Sequence, residues 1–171
     1  MLSKLDDYPI HQISEPVAHA ATSDHNVYDR YWYNAHALDG SFYFGVGACR
    51  YANLGIFDCS FRLAIDGHQY AFHGSRRAPD EPTDLSCGPF SLEILEPMGR
   101  HRLRIAPNET GIECDLVFSP RTACIEEGRQ TLRNARHVVM DATRLDQFGR
   151  WEGWIRTPGG ELTVDGATTL G

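Results

Sequence analysis

Five side chains in this sequence are of the types that move protons and fall within or beside ordered segments: His36, Asp58, His73, Asp146 and Glu152. Hydration of a double bond, or an isomerisation, needs a donor poised near neutral pH, a role open to an imidazole or to a carboxylic acid whose pKa burial has raised. His36, Asp58 and His73 are the catalytic candidates, because strand phase lets both histidines point inward. Asp58 has a competing role as the ion-pair partner of Arg62 or of an arginine on a neighbouring strand. Asp29-Arg30 and Asp146-Gln147 read as braces for loops or an interface. For ligand binding the candidates are Trp32, Asn34, Tyr43, Tyr70, Trp151 and Trp154, aromatic surfaces with one amide to orient a guest. Aromatic residues also fill cores and dominate interfaces, so packing competes at each position.

The frame for these residues begins with the stretch from Tyr28 to Arg77. It is predicted as four strands separated by turns at Asp39-Gly40, Asn53-Leu54-Gly55 and Asp66-Gly67. Tyr31, Tyr33 and Ala35 face one way on the first strand, while Trp32, Asn34 and His36 face the other. On the second, Phe42, Phe44, Val46 and Ala48 alternate with Tyr43, Gly45 and Gly47. Glycines there admit a neighbouring backbone, a ligand or a sharp bend. The third strand alternates most clearly, with Phe57, Cys59, Phe61, Leu63 and Ile65 toward the core. The fourth sets His68, Tyr70 and Phe72 against Gln69, Ala71 and His73.

Further strands are predicted near 90–95, 100–105, 111–118, 137–142, 150–157 and 161–165. Residues 122–136 lack clean alternation and are expected as a short helix or an ordered loop. The basic run from Arg100 to Arg104 reads as a solvated strand face. Residues 1–27 are expected as an extended arm and 28–171 as a single β-domain. Strands punctuated by turns every eight to twelve residues or so predict an all-β antiparallel barrel or strongly curved sandwich. No segment obviously pairs the final strand. A second copy, another chain or a further half is expected to cover that open edge.

Composition narrows the function classes. The chain has 171 residues, 42% apolar and 23% charged, the profile of a folded globular protein. Sixteen basic against 23 acidic residues give −7, which disfavours nucleic acid and anionic membrane surfaces as partners. No segment has the apolar length of a membrane span, and no apolar leader opens the sequence, so the cytoplasm is the expected compartment. Five scattered cysteines without a Cys-x-x-Cys pair indicate buried thiols rather than a disulfide framework or zinc site, so neither metal nor cofactor is expected. Nucleophile-elbow, zincin and phosphate-loop motifs are absent.

One resemblance extends over nearly the whole chain. The ordered series Pro9-Ile-His-Gln-Ile-Ser-Glu-Pro16, Thr22-Ser-Asp24, Tyr28-Asp-Arg-Tyr31 with Asn34, Ser75-Arg-Arg77, Leu95-Glu-Pro97 and Arg144-Leu-Asp-Gln-Phe-Gly-Arg-Trp-Glu-Gly153 resembles a bacterial family. That family is similar to the hydroxyneurosporene synthase (carotenoid 1,2-hydratase) and AttH-like group. The resemblance implies a lipocalin-like, calycin-type barrel, the first of two in longer relatives, and bulky hydrophobic substrates such as terpenoids, carotenoids or steroids. The RDxSWGxR stretch that opens the second barrel in those relatives is absent. The resulting expectation is binding, with lyase, hydratase or isomerase conversion, of a hydrophobic or aromatic small molecule. The alternative is a non-catalytic subunit docking through its aromatic face, either as a homo-oligomer or onto a separate chain that supplies a second barrel.

Overall fold

The computed structural model describes every residue from Met1 to Gly171. The aromatic meander forms as β1 (Asp29–Ala37), β2 (Phe42–Tyr51), β3 (Ile56–Ile65) and β4 (His68–Arg77). Its turns follow from local chemistry: Asp66 and Gly67 both take positive φ, as a tight hairpin requires, and Gly55 is left-handed after a 3-10 turn at Ala52–Leu54. A second run follows, β5 (Ser86–Cys87), β6 (Phe90–Ile94), β7 (His101–Ile105) and β8 (Glu113–Pro120). Next come four strands of a surface excursion: β9 (Ile125–Glu126), β10 (Gln130–Asn134), β11 (His137–Ala142) and β12 (Leu145–Asp146). The chain returns through β13 (Gly149–Thr157), β14 (Gly160–Val164) and β15 (Thr169–Leu170).

All pairings are antiparallel. The order β4-β3-β2-β1-β15-β13-β8-β7-β6-β5 bends into a nearly closed barrel, with β14 paired to β13. The expected all-β antiparallel barrel is therefore what the chain forms. Between its two ends, Arg76 on β4 reaches Asp84 just before β5 at 2.8 Å. The thiols of Cys59 and Cys87 both lie 3.1 Å from where a Cβ on Gly74 would stand, so the side-chain-free Gly74 gives them room at the seam.

One expectation is corrected here. Residues 122–136 contain β9 and β10 rather than a helix; both strands are exposed, so no buried face imposes alternation on their sequence. The final predicted strand, β14, pairs with β13 alone, while β15 beyond it pairs with β1 (Ala37 with Thr169, His36 with Leu170) and with β13 (Arg150 with Leu170). A two-residue strand carries no periodicity to read.

The barrel interior is solid. Trp151, Phe44 and Phe61 meet along it, with ring centroids 5.4 Å apart for Phe44 and Trp151 and 5.8 Å for Phe44 and Phe61. Phe57, Phe90, Leu63, Leu103 and Leu116 complete a continuous core of fully buried side chains. Each large apolar side chain withdrawn from water contributes about 1.5–3 kcal/mol. No helix is long and apolar enough to cross a membrane.

Candidate functional site

The registers of β1 to β4 define the outward face of the meander as a grid. Successive rows read Arg30, Cys49, Asp58, Ser75; then Trp32, Gly47, Ser60, His73; then Asn34, Gly45, Arg62, Ala71; then His36, Tyr43, Ala64, Gln69. Six of the nine sequence-predicted site residues fall within it: Trp32, Asn34, His36, Tyr43, Asp58 and His73. Their shared face is the outer one. His36 and His73 are exposed, which corrects the expectation that they point into the barrel. The reason is phase, since Ala35, Phe44, Phe61 and Phe72 claim the inward positions on the same strands.

At the centre of the grid two glycines leave a shallow saddle. The six-membered ring of Trp32 rests over it, 3.4 Å from the position a Cβ would take on Gly45 and 3.9 Å from that on Gly47. The Tyr43 hydroxyl also lies 3.4 Å from the Gly45 position. An aromatic laid across strand glycines restores packing they cannot supply. Trp32 nevertheless remains 56% exposed and Tyr43 44%. Asn34 and Arg62 flank Gly45 on the two neighbouring strands, so an amide and a guanidinium stand on the same outer face in the row next to that of Trp32.

The proton-transfer candidates do not converge. His36 and His73 stand three strands apart, about 14 Å across the sheet alone. Asp58 makes no ion pair with Arg62 or any other arginine, a second correction; in register it lies between Cys49 and Ser75. Tyr51, at the end of the same face, has its phenol pushed up to about 12 by its hydrogen bond with Cys49, with burial and nearby charge adding to the effect.

The other three ligand candidates lie elsewhere. Trp151 is 1% exposed and packs its ring edge-on against Tyr33 and Phe44, so it fills the core rather than lining a cavity; its indole N–H meets no protein acceptor. Trp154 is on the outer face of β13 under the Arg156 guanidinium, 5.3 Å from the ring centroid. Tyr70 packs against the core, and a Cβ on Gly159 would collide with its hydroxyl.

One polar cluster escaped the sequence reading. His101 donates from Nε2 to Asp7 Oδ2 at 2.8 Å and receives the Tyr33 hydroxyl at Nδ1 at 2.6 Å, the tautomer that the donor and acceptor balance assigns. Asp7 Oδ2 also accepts the Met98 backbone N–H, and the Asp7 carbonyl accepts the Tyr31 hydroxyl at 2.6 Å. Burial pushes the Tyr33 phenol well above its ordinary range, so it serves as a hydroxyl. Asp7 and His101 are 6% and 4% exposed. The alternation of His101 with Leu103 and Ile105 marks it as inward-facing, a signal present in the sequence. Asp7, in the arm, offers no such signal.

The family model for DUF8625, a family of unknown function, matches residues 2–171. The chain belongs to that family. No curated protein and no solved structure matches it. Within this DUF8625 chain the two chemically distinctive places are therefore the exposed indole saddle and the buried Asp7–His101–Tyr33 relay. The relay ties the arm to the barrel and is closed to solvent, whereas the saddle is open.

Proposed function

We propose that this chain binds a planar, largely apolar small molecule on the outer face of β1 to β4, with the Trp32 indole as the stacking surface. The observation that carries the proposal is the Trp32 ring seated over Gly45 and Gly47 while more than half exposed. A guest stacked on the free side of the ring meets Asn34, Arg62 and the Tyr43 hydroxyl at its rim, which suits an aromatic or terpenoid body with one acceptor or anionic group. The resemblance to the hydroxyneurosporene synthase and AttH-like group supports the same hydrophobic ligand class. The packed interior moves the proposed site from the barrel's inside to its outside. The proposed activity is binding rather than lyase, hydratase or isomerase turnover, because His36, Asp58 and His73 do not reach a common atom.

The test is fluorescence titration with 1-anilinonaphthalene-8-sulfonate, followed by its displacement with apolar planar competitors. Trp32→Ala is expected to weaken uptake about tenfold, while Trp154→Ala leaves it unchanged. Equal affinity in folded Trp32→Ala and wild type, or no uptake by wild type, would overturn the proposal.

A further inference from the structure

The excursion between β8 and β13 exposes more apolar surface than its size explains. Every residue from Gln130 to Val139 is exposed, including Leu132 at 55%, Val138 at 43% and Val139 at 62%. A lone two-stranded hairpin is marginal in water, and its free edges invite a further strand. Its charge is also out of keeping with the rest. Arg129 and Arg144 pair with Asp141 and Glu127, which leaves Arg133 and Arg136 as the cations without an acidic partner on the hairpin, in a chain of net charge −7.

A complementary surface lies at the barrel seam. β5 covers only the first half of β6: its register ends at Ser86 with Ser91, and Leu92 N–H donates to Leu85 at 3.1 Å. Beyond that, the β5-side edge of Glu93 and Ile94 has no strand neighbour. Alongside runs an open groove of about 520 Å³, floored by Leu5, Tyr8, Ile10, Leu92 and Ile94 and walled by Glu93. Thr83, also on the groove, belongs to a loop carrying Asp80 and Glu81; Asp84 beyond them is already paired with Arg76. An apolar floor, an acidic rim and a free strand edge match an aliphatic, basic hairpin.

The roots of the excursion lie beside the groove. Asp7, between the groove residues Leu5 and Tyr8, bonds Met98 N–H; the Met98 carbonyl accepts Gln147 Nε2 at 3.1 Å; and Gln147 also donates to Thr122 at 3.2 Å. Thr122 and Gln147 stand at the two ends of the excursion. Two surfaces so placed close a two-fold pair in which each is used once by each partner.

We propose that two copies of this chain dimerise by reciprocal docking, the β10–β11 hairpin of one seated in the β6 groove of the other. The test is the solution mass by light scattering at about 100 μM, above the dissociation constant expected for such a contact. Wild type is expected at twice the 19.2 kDa chain mass, shifting toward monomer with added salt. Leu132→Asp with Val139→Asp, and separately Ile94→Arg, should each yield folded monomers. Mixing those two variants leaves one intact hairpin and one intact groove in a mixed pair, so dimer should partly return. A monomeric wild type, or a dimer that both variants leave unchanged, would overturn the proposal and assign these surfaces to another protein or to none.

Discussion

Asp7 joins three parts of the molecule through one carboxylate and its own carbonyl. It belongs to a four-residue 3-10 turn capped by Ser3, yet its partners are Met98 and His101 on the far side of the sequence and Tyr31 on β1. Removing the carboxylate strands two donors in a place water does not reach, the Met98 N–H and the His101 Nε2–H. A buried donor left unpaired costs about 1–3 kcal/mol. Asp7→Ala is therefore expected to lower unfolding free energy by about 3 kcal/mol in urea titration. Tyr33→Phe, which removes only the hydroxyl at His101 Nδ1, should cost about 1 kcal/mol. Equal small losses from both variants would mean that the arm is held by its apolar contacts. Trp32 shows the opposite economy: an exposed indole with no hydrogen bond, positioned only by the absence of two side chains beneath it.

At the scale of elements, β13 does the most to shape the barrel, pairing with β8, β14 and β15 and delivering Trp151 to the core. Gly153 makes that possible. Its φ is 136°, and a Cβ there would run into the Asp115 carbonyl on β8. Gly153→Ala meets both a disfavoured backbone and a steric collision. It should cost at least about 2 kcal/mol by chemical denaturation, and loss of near-ultraviolet dichroism would report the disturbed Trp151. Gly45, whose missing Cβ would meet the Trp32 ring and the Tyr43 hydroxyl at ordinary contact distance, should accept alanine with little loss of stability. Equal effects at the two glycines would break this account of the strand.

For the whole molecule, the notable division is between a barrel whose core is continuous and an excursion that contributes none of the 24 residues in it. Stability is therefore expected to reside in the barrel. Replacing residues 129–143 with a short Gly-Ser link should move the thermal midpoint by no more than about 4 °C, because no buried apolar side chain is removed. A larger drop would show that the hairpin supports the barrel directly. The excursion is thus free to serve association, and the outer face of β1 to β4 is free to serve ligand binding.

The first four strands, their turns and their two faces were legible in the sequence, because a half-buried strand must alternate and a tight turn must use residues that tolerate positive φ. Trp32, Asn34 and His36 share a face for that reason alone. Which face met water was a tertiary decision, made when the larger inward set from β2, β3 and β13 packed the interior solid and left no room for the indole. β15, two residues long, became the bridge between β1 and β13 only because the barrel brought both edges to it. Asp7, His101 and Tyr33 lie far apart in sequence, and no local pattern encodes their meeting. It arises when the arm folds over one end of a barrel that already holds the other two.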